Sequence, residues 1–362
     1  MPAARSTRPL GVAIAGLGFG ATVHLPALRS CPGTEPVALW HPRPERLSAA
    51  CAAADLPGVS DFDALLADPA VEAVVIATPP APRFELARRA LEAGRHLVLE
   101  KPVALAAEQV EDLQRLALRQ GCCVAVDFEY RAVPLFQQLQ ALLAAGSLGE
   151  IWLARLDWLM SSRADASRPW SWYSSAAAGG GVLGALGTHA FDILHWLVGP
   201  TRSLRAQLST AIGERPLPGE PGRSARVDAE DIALVQLELE DDLGRPVPAQ
   251  VSLASVTRQG RGCWLEIYGS EGTAVLGSAN QADYVHGFAL WFARPGEPLR
   301  VIEPDPALAF PRTWEDGRVA PVERLLGWWA EAARQGRPMV PGLAEAVTSQ
   351  RCCDLARGGT GA

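Results

Sequence analysis

The sequence predicts an α/β chain: a doubly wound parallel sheet at the N-terminal end, followed by an α+β domain with a large, open, mostly antiparallel sheet. Three observations carry this prediction. Residues 10–127 alternate short apolar runs with helical patterns, the signature of repeated strand-helix-strand units. Runs such as residues 71–77 are apolar on both faces, as a sheet covered on both sides requires. Past Asp127 the pattern changes to period-2 segments separated by turn residues. The expected domains are therefore residues 1–127 and 128–362, with the closing helices available to pack back on the first.

In the first domain, strands are expected at residues 11–16, 36–41, 73–78, 96–100 and 122–128. Helices are expected at 21–30, 45–54, 61–66, 83–93 and 107–120. Asp61 can cap the third helix, and Gly94 and Gly121 stand where the last two should stop. The second domain begins with a helix at 133–145, ended by Gly146, and a strand at 151–159. A helix at 185–198 stops at Gly199-Pro200. About six period-2 strands follow, near 204–212, 232–239, 249–256, 264–268, 273–276 and 289–293. Residues 213–226, rich in Pro, Gly and Arg, read as an exposed loop, and helices near 321–335 and 342–356 close the chain. Residues 1–9 read as a disordered lead and 358–362 as a loose tail.

Composition narrows the function classes. The chain has 362 residues, 48% hydrophobic and 20% charged, which describes a globular protein with room for two domains. Its 34 glycines and 29 prolines follow no period, so collagen-like, solenoid and low-complexity classes are excluded. The longest apolar stretches fall short of the roughly 20 residues a membrane span needs. Seven scattered cysteines without a Cys-x-x-Cys fit a reducing cytoplasm and argue against a disulfide scaffold. With 33 basic against 40 acidic residues and no basic cluster, nucleic acid and anionic membrane are not expected partners. A small molecule is. Ten of the eleven tryptophans lie in the second domain, giving it large apolar faces suited to a substrate or a subunit interface.

The residues that carry chemistry begin with Gly16-Leu17-Gly18-Phe19-Gly20-Ala21, a G-x-G-x-x-[G/A] turn between a strand and a helix. Such glycines permit close approach of a pyrophosphate, which then sits on the positive helix end of a Rossmann unit. The next strand ends at Trp40-His41-Pro42-Arg43 without the acid that receives the ribose of NAD. Arg43 and Arg46 read either as a solvated helix entry or as partners of a 2′-phosphate. NADP(H) is accordingly expected ahead of NAD(H). His41, Thr78, Pro79, Glu100 and Lys101 complete the expected cofactor set at the carboxyl ends of the strands.

Residues 77–80 (Ala-Thr-Pro-Pro), Glu100-Lys101-Pro102 after an apolar strand, Tyr130-Arg131 and the run Gly179-Gly180-Gly181 to His189 and Asp192 together resemble the Gfo/Idh/MocA family. That resemblance implies a Rossmann domain followed by an open-sheet domain, with assembly into dimers or tetramers through that sheet. It also implies action on sugars, polyols and their derivatives, and it places His189 at the family's catalytic histidine. One departure is visible: many members carry Asp four residues before this His, where Ala185 stands here.

Read from the residues alone, Lys101 lies at the strand edge where ligands bind an open parallel sheet. Oxidising an alcohol requires a group to take the hydroxyl proton, and a lysine desolvated beside a cationic ring suits that task. His189 and Asp192, at i and i+3, share a helix face, so the carboxylate can orient the imidazole or bind a hydroxyl. Tyr130, Arg131, Trp172 and Tyr173 are candidates to line a sugar, with core packing the competing explanation for the aromatics. Arg83 is a lesser cofactor candidate, His24 and His96 read as packed or hydrogen-bonded, and no metal site is expected. The leading expectation is hydride transfer between a nicotinamide and a sugar-like carbon, with Lys101, His189 and Asp192 as the catalytic set. A redox-neutral lyase or glycosidase and a non-catalytic cofactor-binding sensor stand as alternatives.

Overall fold

The computed structural model describes residues 8–280, 283 and 285–358. Residues 1–7 of the expected lead and 359–362 of the expected tail lie outside them. The chain divides into two compact units: residues up to Ala132 together with Arg312–Val347, and Val133–Pro311 together with the stretch from Thr348.

The first unit is built on a six-stranded parallel sheet. Its strands are β1 (Leu10–Ala15), β2 (Thr34–Trp40), β3 (Gly58–Val59), β4 (Ala73–Ile76), β5 (His96–Leu99) and β6 (Val124–Val126). Their spatial order, β3-β2-β1-β4-β5-β6, is the doubly wound Rossmann order, with its switch point beside β1. The helices are α1 (Leu25–Ser30), α2 (Pro44–Ala54), α3 (Phe62–Ala67), α4 (Pro80–Glu92) and α5 (Ala107–Gln120). Asp61 caps α3 through its Oδ1, and α5 ends at Gly121 in the left-handed region. A π-helical turn, Gly20–His24, leads into α1. Pro26 has no N–H to give, and just ahead of it the ladder widens so that Leu25 N–H reaches the Gly20 carbonyl. The two-residue β3 was not expected; it is too short to show a period.

Both faces of this sheet are covered. Val74, Ile76, Leu97 and Leu99 pack with Leu86, Ala90, Val110 and Leu113 of α4 and α5. Val12, Ile14, Val75 and Val98 pack with Leu28 and with Leu325, Leu326 and Trp329 from a helix far down the chain, Val319–Gln335.

The second unit opens with α6 (Pro134–Ala144) and β7 (Ile151–Leu159). A π-helical turn, Leu183–Gly187, continues into α7 (Thr188–Leu197). Then come β8 (Thr201–Ser209), β9 (Glu214–Pro216), β10 (Ser224–Arg226), β11 (Ile232–Glu240), β12 (Pro246–Ala254), β13 (Gly262–Gly269), β14 (Thr273–Ser278), β15 (Ala289–Ala293) and β16 (Arg300–Ile302). Eight of them form one sheet ordered β16-β15-β14-β13-β7-β12-β11-β8, antiparallel throughout except for the β7–β12 pair. Helices α8 (Val319–Gln335) and α9 (Leu343–Ala356) close the chain.

Register fixes the two faces of this sheet. Leu290, Leu276, Leu265, Leu156, Val251 and Val235 form one buried cross-strand row. The neighbouring row on the opposite face, Trp291, Val275, Glu266, Arg155, Gln250 and Gln236, is partly or fully exposed. The expected loop at 213–226 is corrected: its ends pair as the hairpin β9–β10. Arg215 is buried there and donates to the carbonyls of Arg163 and Asp165, which satisfies its guanidinium without a carboxylate.

Candidate active site

The carboxyl ends of β1, β2, β4 and β5 carry the expected cofactor residues. Gly16 follows β1 at φ +118°, and a Cβ there would sit 2.6 Å from the Ala77 carbonyl at the end of β4. A Cβ on Gly20 would meet Ile14 Cγ2 at 2.8 Å, whereas one on Gly18 would meet nothing within 4 Å. The outer glycines thus seat the turn against the sheet, and the middle one leaves an open approach to the backbone. Such a cradle fits a pyrophosphate. Phe19 packs edge-on against His24 and lies under the Arg318 guanidinium, 5.0 Å from its ring centre. Past β2, His41 Nδ1 accepts the Arg43 N–H at 3.0 Å, and the Arg43 and Arg46 side chains are exposed. Thr78 is buried and Pro79 exposed at the entry to α4.

Lys101 stands just past β5, half-buried, with a cis peptide to Pro102. Arg83, expected as a cofactor contact, is instead buried inside the protein: it donates to the carbonyls of Thr78, Glu100 and Pro102, clamping both sides of Lys101. On the other side of the chain, His24 Nε2 lies 2.8 Å from Glu100 Oε1 and 3.5 Å from Asp127 Oδ2. His24, Glu100 and Asp127 are all buried. Among the described residues they are the set whose ligand-type atoms come within 4.8 Å of one another, although the 2.8 Å contact is a hydrogen bond.

The neighbouring acids feel opposite pressures. Burial raises the Glu100 carboxyl, but the hydrogen bond and charge of His24 and the charge of Lys101 outweigh it and bring the group to about 2. Burial, with Glu100 and Glu129 alongside, pushes Asp127 well above the carboxylate range. Burial pushes Glu129 up to about 7 against the pull of Lys101. Tyr130 and Arg131, expected to line a sugar, lie in the same turn, Glu129–Ala132, and both are buried.

Sequence reading missed two signals here. The His24–Glu100–Asp127 cluster joins the end of the π-helical turn to residues just past β5 and β6 and has no spacing to find. The second signal is plain composition: Lys101 is the only lysine in the chain, and the other 32 of its 33 Lys and Arg residues are arginine.

In the second unit, His189 and Asp192 are buried on α7, and the His189 ring lies 6.1 Å from that of Trp158. The entry to that helix is tied down by Glu230. Its Oε1 accepts the Leu183 N–H at 3.1 Å and the Arg357 guanidinium at 2.7 Å, and Arg357 also donates to the Gly180 carbonyl. Gly181, at φ +86°, could carry no side chain, because a Cβ would lie 2.4 Å from Glu230 Oε1. Ala185 sits inside the π-helical turn. Trp172 and Tyr173 are half-buried, 5.9 Å apart, with the Arg163 guanidinium 3.8 Å over the Tyr173 ring. The first unit therefore gathers Lys101, Tyr130 and Arg131 with the cofactor residues, and the second gathers His189, Asp192, Trp172 and Tyr173.

A family model described as "Oxidoreductase family, NAD-binding Rossmann fold" matches residues 10–128, and the GFO/IDH/MocA C-terminal domain matches 136–275. The chain belongs to the Gfo/Idh/MocA oxidoreductase family. An uncharacterised oxidoreductase of Synechocystis is 44% identical over 96% of this chain and 93% of its own. Levoglucosan dehydrogenase of Pseudarthrobacter phenanthrenivorans is 30% identical over 69% of each chain. The NADP(+)-dependent scyllo-inositol 2-dehydrogenase of Bacillus subtilis is 28% identical over 42% of each. A solved levoglucosan dehydrogenase, in complex with NADH and L-sorbose, shares the fold at TM-score 0.86 and 24% identity, covering 97% of this chain and 96% of that one. As a Gfo/Idh/MocA protein the chain is an oxidoreductase with an NAD-binding Rossmann domain. Among its described residues, no helix is long and apolar enough to cross a membrane.

Proposed function

We propose that the protein oxidises or reduces a hydroxyl- or carbonyl-bearing carbon of a sugar, polyol or cyclitol, with Lys101 exchanging the hydroxyl proton at Nζ. The observation that carries this reading is the lone lysine. Where every other side chain of that charge is a guanidinium, which does not deprotonate in proteins, the one dissociable ammonium stands at the carboxyl end of β5. His189 is the second proton-handling group, and Asp192, on the same face of α7, orients it or holds a hydroxyl. The glycine turn of residues 16–21 holds the dinucleotide pyrophosphate, with His41, Thr78, Pro79 and Glu100 beside it. When bound, the nicotinamide supplies the hydride acceptor or donor. Tyr130, Arg131, Trp172 and Tyr173 fix the substrate. The names of the relatives support the substrate class: levoglucosan, D-xylose and scyllo-inositol are all polyhydroxylated rings.

NADP(H) is the preferred cofactor on this reading, because β2 ends without an acid and two exposed arginines, Arg43 and Arg46, follow it. The reading also includes a cytoplasmic location, supported by seven unpaired cysteines, and a homodimer or homotetramer formed through the second unit's sheet. A screen of NAD+ and NADP+ reduction against levoglucosan, xylose, inositols and other polyols tests cofactor and substrate together. Expected are net reduction with at least one polyol and a Kd at least tenfold lower for NADP+, about 1.4 kcal/mol. If Lys101→Ala and His189→Ala both kept full turnover, the assignment of roles would fail.

A further inference from the structure

Three buried carboxyl groups, Glu100, Asp127 and Glu129, gather near the one lysine, and the geometry limits how many of them carry charge. Neither oxygen of Asp127 accepts a hydrogen bond from a described N–H or hydroxyl. The nearest donor, His24 Nε2, sits 3.5 Å from it and is committed to Glu100 at 2.8 Å. An ionised Asp127 would be a buried charge without a donor, beside a carboxylate already ionised, which is strongly unfavourable. One proton shared between Asp127 and Glu100 removes that unsupported charge.

We propose that Asp127 is held as a neutral carboxylic acid that donates to Glu100 and acts as a positioning residue for Lys101. The Asp127 proton stays on its own oxygen and points at Glu100, which keeps the negative charge and also accepts the Nε2–H of His24. Lys101 then faces the single charge of Glu100 instead of an unscreened pair of charges. The charged and titratable groups facing the pair come from the neighbouring elements: His24 ahead of α1, Arg83 on α4, Lys101 past β5 and Glu129 past β6, with Arg318 at the start of α8 facing Glu129 in turn. Arg83 completes the support from the backbone side through the carbonyls of Glu100 and Pro102. The direction of the Asp127 shift, upward through burial and through Glu100, agrees with this arrangement.

The inference rests on Lys101 as the proton-transfer group, and two measurements separate the two ideas. The infrared difference spectrum of the native protein minus Asp127→Asn, taken at pH 9 where Glu129 is ionised, should show the carbonyl band of a protonated carboxyl group. With a polyol that the protein turns over, Asp127→Ala should lower kcat/KM at least tenfold, and Asp127→Asn, which keeps a neutral donor, should recover it to within threefold. Absence of the band, or Asp127→Asn no better than Asp127→Ala, overturns the inference whatever Lys101 does. Full turnover by Lys101→Ala with the band present overturns the lysine reading and leaves the shared proton standing. The infrared measurement reads the native protein and stands even if Asp127→Ala does not fold.

Discussion

Charge type, more than charge itself, decides the behaviour of single residues here. Lys101→Arg keeps a cation next to Glu100 but removes the ability to give up a proton, so turnover should fall by about 10² to 10⁴, the usual range for a proton-transfer group. The Kd for the dinucleotide, read by nicotinamide fluorescence, should move less than threefold. A second residue-scale effect concerns stability. Glu129 has its folded value raised to about 7 by burial, so its proton is bound more tightly in the folded state than in the unfolded chain. The stability this lends is complete below the ordinary carboxylate range and is lost as pH rises through about 7. Thermal unfolding followed by circular dichroism should show the midpoint dropping between pH 5 and 8, by on the order of 1–3 kcal/mol in stability. Glu129→Gln should flatten that drop; an unchanged slope would show that other groups cause it.

The element scale shows what a one-dimensional reading can and cannot see. Helix α5 and strand β7 match their expected bounds because each has a complete periodic pattern ended by a turn residue: Gly121 closes α5, and Gly149 precedes β7. Strand β16 and the β9–β10 hairpin went unread because three-residue strands are too short for a period, and the hairpin depends on Arg215 reaching carbonyls about fifty residues back. The glycine turn and Glu100-Lys101-Pro102 were legible as contiguous motifs. Arg83 was misread because its three acceptors are carbonyls, which leave no trace in side-chain spacing. Glu230 was missed for a similar reason, since its partners are an N–H of the π-helical turn and Arg357 near the other end of the chain. It predicts an element-scale effect: Glu230→Ala strips the Leu183 N–H and leaves the half-buried Arg357 without its carboxylate. With Arg357 still partly solvated, the loss should be on the order of 1–3 kcal/mol, below the cost of breaking a fully buried pair. Chemical denaturation should show that loss, and Glu230→Gln, which still accepts from Leu183, should lose less. Equal losses would mean the helix entry does not depend on this acceptor.

At the scale of the whole molecule, the unresolved demand is the outer face of the eight-stranded sheet. One side of that sheet is sealed by the leucine and valine row. The opposite side stacks Trp264 on Trp291 at 5.7 Å and leaves Leu153, Val301 and Leu234 at 39%, 56% and 46% exposure. The patch is not uniformly greasy: Glu266 hydrogen-bonds Tyr268, and Arg155 pairs with Asp157 at 2.7 Å, so polar pairs are interleaved with the aromatic ones. A surface of apolar centres interleaved with polar pairs suits a self-complementary interface, in which the same patch of a second copy meets it about a twofold axis. A stable dimer of this kind needs roughly 800 Å² from each partner, an area that several adjacent strands of such a sheet can supply. Light scattering coupled to size exclusion should therefore give a dimer or tetramer for the native protein. Trp291→Glu, which sets a charge against the face of Trp264, should shift the population to monomer at micromolar concentration. Its dinucleotide affinity should be unchanged, because the glycine turn lies in the other unit. If Trp291→Glu elutes like the native oligomer, the subunits meet through some other surface, and the stacked tryptophans need a different explanation.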